Sequence, residues 1–302
     1  MTWPNFLVVG GARCGSTSLC ALLGRHPDVF VSPTKEPSFF LFEGHPPAFT
    51  GPGDEGLVRM VVTTESDYQA LFDDAGDAVA IGEGSVFYLH RPEVFDHIEE
   101  RVPGIKAIVI LRDPVERAFS AFSLMSRDGR EPETEFRAAL ADEDRRREAG
   151  WEWIWEYAGG GFYADRLERL IDCFGRERVL ILRHEDLADD RAGLLAEAFT
   201  FLGVDPQASI GGPGHVNASG APRSRRVQSF LTEPNGVKDR LRPLVPDRLW
   251  QRAYHYVQRR NVQPLTLPDD VRAELAPGYA ADIDRVEQIT GWDLAAWRAP
   301  AG

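Results

Sequence analysis

The residues best suited to chemistry stand near the start of the chain, in Gly10-Gly11-Ala12-Arg13-Cys14-Gly15-Ser16-Thr17-Ser18. They follow a short apolar run, Phe6-Leu7-Val8-Val9, and lead into Ser16 to Arg25, where Leu19, Leu22 and Leu23 recur at helical spacing. A buried strand, a glycine-rich turn and a helix are expected. The first turn of a helix has unpaired N–H groups and the positive end of the helix dipole. Glycines let an anion come close to that backbone, and the hydroxyls of Ser16, Thr17 and Ser18 add donors. Arg13 adds a fixed positive charge. Residues Ala12, Arg13, Cys14, Gly15, Ser16, Thr17 and Ser18 therefore read as a cradle for a phosphate- or sulfate-type group. A plain strand–helix turn with Ser/Thr caps would use the same glycines and hydroxyls. The arginine favours the anion. Cys14 reads as a small loop residue, because a C-x5-R nucleophile loop would need arginine where Cys20 stands.

The elements that must carry this loop are visible around it. Ala107-Ile108-Val109-Ile110-Leu111 is a strand, and Pro114 opens a helix through about Arg127. Leu167, Leu170 and Ile171 mark another helix, followed by a strand at Val179-Leu180-Ile181-Leu182. Ala78-Val79-Ala80-Ile81 is a weaker strand. Strands alternating with helices imply an α/β fold, a P-loop-type, mostly parallel sheet flanked by helices. Residues 41–60 and Gly211 to Arg226 read as irregular loops, the second carrying three arginines. From about Val237 the pattern is helical with proline breaks and predicts a C-terminal helical cap. No linker divides the chain. One domain over residues 1–302 is expected, with a core of about 5–235 and an extension of about 236–302.

Composition bounds the function. The 302 residues are 43% hydrophobic, enough for a sizeable core. Lysine and arginine number 34 against 47 aspartates and glutamates, a net charge of −13, which argues against nucleic acid as a partner. A local basic pocket for a small anion is still compatible with that balance. The cysteines Cys14, Cys20 and Cys173 are odd in number and lack C-x-x-C spacing, so neither a disulfide framework nor a thiolate zinc site is expected. No apolar run approaches the ~18 residues of a membrane span. Met1-Thr2-Trp3-Pro4 lacks a signal peptide's basic start. These features predict a soluble cytoplasmic protein, without a catalytic metal and with its oligomeric state open.

Gly10 and Gly15 have the G-x-x-x-x-G spacing of a Walker A loop, but Ser16 stands where that motif needs lysine. The wider pattern resembles another family. Arg13-Cys14-Gly15-Ser16-Thr17-Ser18-Leu19, then His26-Pro27-Asp28, then Lys35-Glu36-Pro37-Ser38-Phe39-Phe40 resemble the start of sulfotransferases that use 3′-phosphoadenosine-5′-phosphosulfate, of the bacterial and heparan-sulfate type. The resemblance continues at Gly82 to Leu89 and at Leu111-Arg112-Asp113-Pro114-Val115-Glu116-Arg117-Ala118-Phe119-Ser120. Weaker blocks match at Gly161-Phe162-Tyr163, Arg183 to Leu187 and His215 to Arg225.

The resemblance implies roles. Arg13 takes the place of the family's catalytic lysine, supplying charge to the leaving phosphate but no proton at neutral pH. Arg112 and Ser120 hold the 3′-phosphate, helped by Arg223 or Arg225, with Tyr163 and Ser219 in the further cofactor-binding blocks. Glu36 is the candidate base for a hydroxyl or amine acceptor, a small molecule or a glycan; a solvated Lys35–Glu36 pair in the loop before Pro37 is the plainer reading. Phe39 and Phe40 are expected to bury it and raise its pKa. His90 and Glu83 are reserve candidates, and His184 and His215 read as structural. The co-substrate would be 3′-phosphoadenosine-5′-phosphosulfate. A P-loop kinase for a small metabolite and a non-catalytic binder of adenosine bisphosphates stay open as alternatives.

Gly51-Pro52-Gly53-Asp54-Glu55-Gly56 spells G-x-G-x-x-G with no strand before it and is set aside. Arg145-Arg146-Arg147 reads as a solvated helix face. Trp151-Glu152-Trp153-Ile154-Trp155-Glu156-Tyr157, if extended, would put four rings on one face, as a pocket wall or lid. Packing against the sheet is the plainer reading of those rings.

Overall fold

β1 (Phe6–Val8) is the centre of a five-stranded sheet and has no exposed residue. With β2 (Val29–Val31), β3 (Ala80–Gly84), β4 (Lys106–Leu111) and β5 (Val179–Arg183), the strand order is β2-β3-β1-β4-β5. Every neighbouring pair is parallel. The computed structural model describes residues 2–208, 210 and 265–298, and two short paired strands at Ala221–Pro222 and Val262–Gln263. Parallel strands need crossovers, and helices supply them. Around the sheet stand α1 (Ser16–Leu23), α2 (Pro114–Arg127), α3 (Ala164–Phe174), α4 (Arg191–Leu202), α5 (Asp269–Leu275) and α6 (Ala280–Thr290).

The period of two along the strands sorts the core into two layers. Leu7, Val109 and Leu111 face α3 through Leu167, Leu170 and Phe174. Phe6, Val8, Ile108 and Ile110 face α1 and α4 through Leu19, Leu23, Leu194 and Phe199. Because both sheet faces are covered, β4 reads as a continuous apolar run rather than an alternating one. Val8 pairs with Gly84 on one side and Ile108 on the other, so β1, β3 and β4 deliver their following loops to the same end of the sheet. Ligands of α/β sheets gather at such carboxyl ends.

The expected α/β fold is therefore observed, with three local differences. Val29–Val31 forms a strand that three residues were too few to announce. The strand expected at Ala78 begins at Ala80, because Val79 is exposed before the chain enters the sheet. Trp153–Trp155 is a 3-10 turn, not an extended segment, and the rings part company. Trp155 and Tyr157 are core residues, whereas Trp153 stacks on Phe42 at 5.8 Å. The observed helices α5 and α6 belong to the expected cap. Within it, residues 237–261, 264 and 299–302 lie outside the described residues, as do His215, Ser219, Arg223 and Arg225. Among the described residues, no helix is long and apolar enough to cross a membrane.

The arginine run also differs from the solvated face expected. Arg146 is fully buried. Its guanidinium forks onto Glu131 at 2.7 and 2.9 Å and reaches Asp142 at 3.0 Å. The rings of Trp151, Trp155 and Tyr157 surround it at 5.2 to 5.6 Å. Helical spacing turned one of three adjacent arginines inward, where Glu131 waits. Removing one member of a buried pair strands the other charge. Arg146→Ala should lower the free energy of unfolding by about 3–5 kcal/mol, measured by denaturant titration. A change below about 1 kcal/mol would show that Glu131 escapes to water.

Candidate active site

The loop after β1 is shaped by contacts that only glycine permits. A Cβ on Gly10 would stand 2.4 Å from the Ile110 amide nitrogen, so the chain leaves the sheet against β4. Gly15 has φ 99°, and a Cβ there would lie 2.7 Å from His184 Nδ1. That same nitrogen donates to the Cys14 carbonyl at 2.8 Å and fixes the turn. α1 then begins with no side-chain cap on its first-turn N–H groups. Those donors are left for an anion.

Arg13 sits in the left-handed region at φ 72°. Its Nε donates to Ser120 Oγ at 3.2 Å, two turns along α2. Burial, together with the neighbouring cations Arg127 and Arg112, lowers its pKa to about 10, still cationic at neutral pH. Arg112 follows the last residue of β4, and its Nη2 reaches Glu116 at 3.2 Å. Asp113 caps α2, accepting from the Val115 and Glu116 amides at 2.8 and 3.2 Å. Asp113 is paired in turn with Arg272 of α5. Asp282 of α6 accepts from the Tyr163 and Ala164 amides at the start of α3, at 2.9 and 3.0 Å. The C-terminal helices thus hold the ends of the two helices next to the site.

One cleft of about 530 Å³ joins these groups. Ala12, Arg13, Gly15, Ser16, Thr17, Ser18, Glu36, Arg112 and Ser120 all line it. Its size suits a small-molecule ligand. Within it the pairing differs from the expected one. Ser120 is bound to Arg13, and Arg112 is turned onto Glu116. Two expected site residues lie behind the cradle. The Cys14 side chain is buried 3.7 Å from Tyr163 Oη, and that hydroxyl donates to the Arg112 carbonyl at 3.0 Å. Burial pushes the Cys14 thiol up, the opposite of an activated nucleophile. Both residues support the loop from below. His90 stands apart from the cleft, with Nε2 3.1 Å from Glu156.

Glu36 shares the left-handed conformation of Arg13, at φ 60°, and its amide donates to the Gly84 carbonyl at 3.0 Å. Phe39 and Phe40 do not surround it. They turn into the core, where Phe39 stacks on Tyr68 at 4.4 Å. Glu83 is sealed beneath the cleft, with Tyr68 donating to it at 3.3 Å. Burial raises its pKa to about 7, against the hydrogen bonds from Ser85, Tyr88 and Tyr68.

The structure adds residues to which the sequence assigns no chemistry, and shows the Lys35–Glu36 pair that is the plainer reading of that loop. Lys35 Nζ lies 3.2 Å from Glu36 and 3.4 Å from Ser16 Oγ, placing an amine beside a cradle that has arginine at its tip. Asp54, in the discarded glycine-rich stretch, is fully buried. It accepts from the Gly51 and Glu152 amides at 2.7 and 2.8 Å, from Trp155 Nε1 at 2.9 Å and from Arg130 at 2.5 Å. Arg130 also donates to Glu152 at 2.9 Å. Glu152 lines the cleft, and burial raises its pKa to about 7; Arg130 opposes the shift, while Asp54 and Glu36 add to it. His184, read as structural, does hold the loop and also lines the cleft.

A parallel sheet with a cationic loop after its central strand, and no lysine within that loop, defines a P-loop-like fold. This chain belongs to the sulfotransferase family, whose family model matches residues 4–208. A crystallographically solved sulfotransferase from Alicyclobacillus acidocaldarius is 33% identical, with a TM-score of 0.78 over 99% of this chain and 100% of its own. The bifunctional heparan sulfate N-deacetylase/N-sulfotransferase 3 of Mus musculus is 28% identical over 67% of this chain, which spans only 22% of that relative. The heparan sulfate glucosamine 3-O-sulfotransferase 6 of Mus musculus is 27% identical over 83% of this chain and 67% of the relative.

The buried Glu83 makes a stability prediction. Its folded pKa, about 7, lies above the unfolded value of about 4.3. The stabilisation from its protonated form is complete below the unfolded value and is lost as pH rises through the folded one. Glu83→Gln should therefore gain on the wild type by roughly 3 kcal/mol between pH 5 and pH 8 in denaturant unfolding. Parallel pH profiles for the two proteins would contradict this.

Proposed function

We propose that the chain transfers a sulfuryl group from 3′-phosphoadenosine-5′-phosphosulfate to a hydroxyl or amine of a small-molecule or glycan acceptor. The observation that carries this reading is the convergence of Arg13, Arg112, Ser120 and the start of α1 on one cleft. A donor with phosphate at two ends needs positive charge and donors at two places, and the loops after β1 and β4 offer them. Family membership supports the same chemistry.

The residues divide the work. The acceptor oxygen attacks sulfur in line while the bond from sulfur to the bridging phosphate oxygen breaks, and the electron pair passes to that oxygen. Arg13 and the first-turn N–H groups of α1 oppose the charge that develops there. Arg13 cannot deliver a proton, whereas the Lys35 ammonium beside Ser16 can. Glu36 accepts the proton that the acceptor loses. Arg112 and Ser120 bind the 3′-phosphate, which requires Arg112 to exchange Glu116 for the ligand. We assign His90 no part in the chemistry. The chain is read as one functional unit. The free thiols of Cys14, Cys20 and Cys173 support a reducing compartment such as the cytoplasm.

Arg13→Ala and Glu36→Gln should each lower kcat by about 10²–10³, as loss of a transition-state donor or base does elsewhere. Arg112→Ala should weaken binding of adenosine 3′,5′-bisphosphate most. Near-wild-type turnover in all three would defeat the assignment. In calorimetry, adenosine 3′,5′-bisphosphate should bind at least about tenfold tighter than adenosine 5′-phosphate, a difference of about 1.4 kcal/mol. Equal affinities, or magnesium-dependent ATP binding, would favour the kinase reading. Tight binding with no transfer to any acceptor would favour a non-catalytic binder.

A further inference from the structure

The acceptor half of the cleft, taken with the sulfotransferase reading above, narrows the class of molecule that receives the group. Its wall is apolar. Leu57, Val86, Phe87, Met125 and Ile154 belong to one buried cluster and line the cleft. Met60 stands exposed at the rim. Two carboxylates, Glu36 and Glu152, face the same space. The cations beside them are already engaged, Lys35 with Glu36 at 3.2 Å and Arg130 with Asp54 and Glu152 at 2.5 and 2.9 Å. Arg13 and Arg112, at the cradle, answer the charge of the donor. An acceptor bearing sulfate or carboxylate groups would shed its water here and meet two acidic side chains. Among the described residues of this half, every cation already has an acidic partner. A neutral ring or chain gains from the same wall, because its apolar surface leaves water.

We propose that this cleft selects uncharged, apolar acceptors carrying a hydroxyl group, and that Glu152 excludes anionic ones. The acceptor class then differs from the polyanion in the names of the heparan sulfate relatives. Asp54 makes the selection rigid. It binds the Glu152 amide, the ring nitrogen of Trp155 and Arg130 at once, so the carboxylate wall and the apolar flap at Leu57 and Met60 are held together.

The test is calorimetry at about pH 8.5, above the raised pKa of Glu152 so that it is ionised, on the full chain saturated with adenosine 3′,5′-bisphosphate, titrated with 2-naphthol or with an N-sulfated heparosan oligosaccharide. The naphthol should bind at least about tenfold tighter. Glu152→Gln keeps the side-chain volume and an oxygen for Arg130, and should tighten oligosaccharide binding at least about threefold. Should that variant not fold, Met60→Arg at the exposed rim asks the same question by adding a cation, with the same tightening expected. Oligosaccharide binding equal to or tighter than that of naphthol, or no naphthol binding, overturns the acceptor class. Unchanged oligosaccharide affinity in the folded Glu152→Gln protein overturns the role of Glu152. Failure of the bisphosphate to bind at all overturns the donor reading, and the acceptor assignment falls with it.

Discussion

A guanidinium held at the mouth of a helix, on a backbone in the left-handed region, is a costly arrangement for a residue with a Cβ, of order 1–3 kcal/mol. Arg13 is held in this way, and the surrounding structure makes the conformation obligatory. Gly10 presses the loop against β4, His184 grips the Cys14 carbonyl, and Ser120 takes the Arg13 Nε. Among the described residues, Arg13, Glu36 and Ser38 are the non-glycine positions with positive φ. Two of the three carry the proposed chemistry. Strain gathered at the proposed working residues and relaxed elsewhere is what a preorganised site requires.

The charges of the cleft are arranged as ion pairs of unequal exposure. Lys35 lies on Glu36, Arg112 on Glu116 and Arg130 on Asp54 and Glu152. The first two pairs are partly exposed, so solvent screens them and an incoming phosphate competes at small cost. The third is anchored on the fully buried Asp54 and does not yield so readily. This gradient separates the proposed donor end, whose pairs can reorganise, from the proposed acceptor wall, whose pair is anchored on Asp54. The negative net charge of the chain leaves that local pattern intact, since field focusing in a cleft depends on nearby groups.

Much of the framework was legible because it obeys local rules. The apolar run before Arg112, the proline at the first position of α2 and the glycine spacing after β1 each announced an element and its place. Arg13, Glu36, Arg112 and Ser120, each named from its own stretch of sequence, line one cleft. What could not be read depended on distant pairing. Arg13 and Ser120 are 107 residues apart, and nothing in either neighbourhood shows that they share a hydrogen bond. Lys35 meets Ser16 only because β2 returns beside β3. Asp54 and Glu152 were hidden in stretches whose compositions suggested a loose loop and an aromatic stripe. Arg146 had the look of a solvated charge until its partner 15 positions away was known.

The supports that Arg272 and Asp282 give to Asp113 and to the start of α3 join the two ends of the chain's timetable. Synthesis delivers the cradle first and these buttresses more than two hundred residues later. A nascent polypeptide therefore carries the cradle before the residues that buttress the helices beside it have been made. The full set of supports around the cradle is complete only once α5 and α6 have been made and have docked.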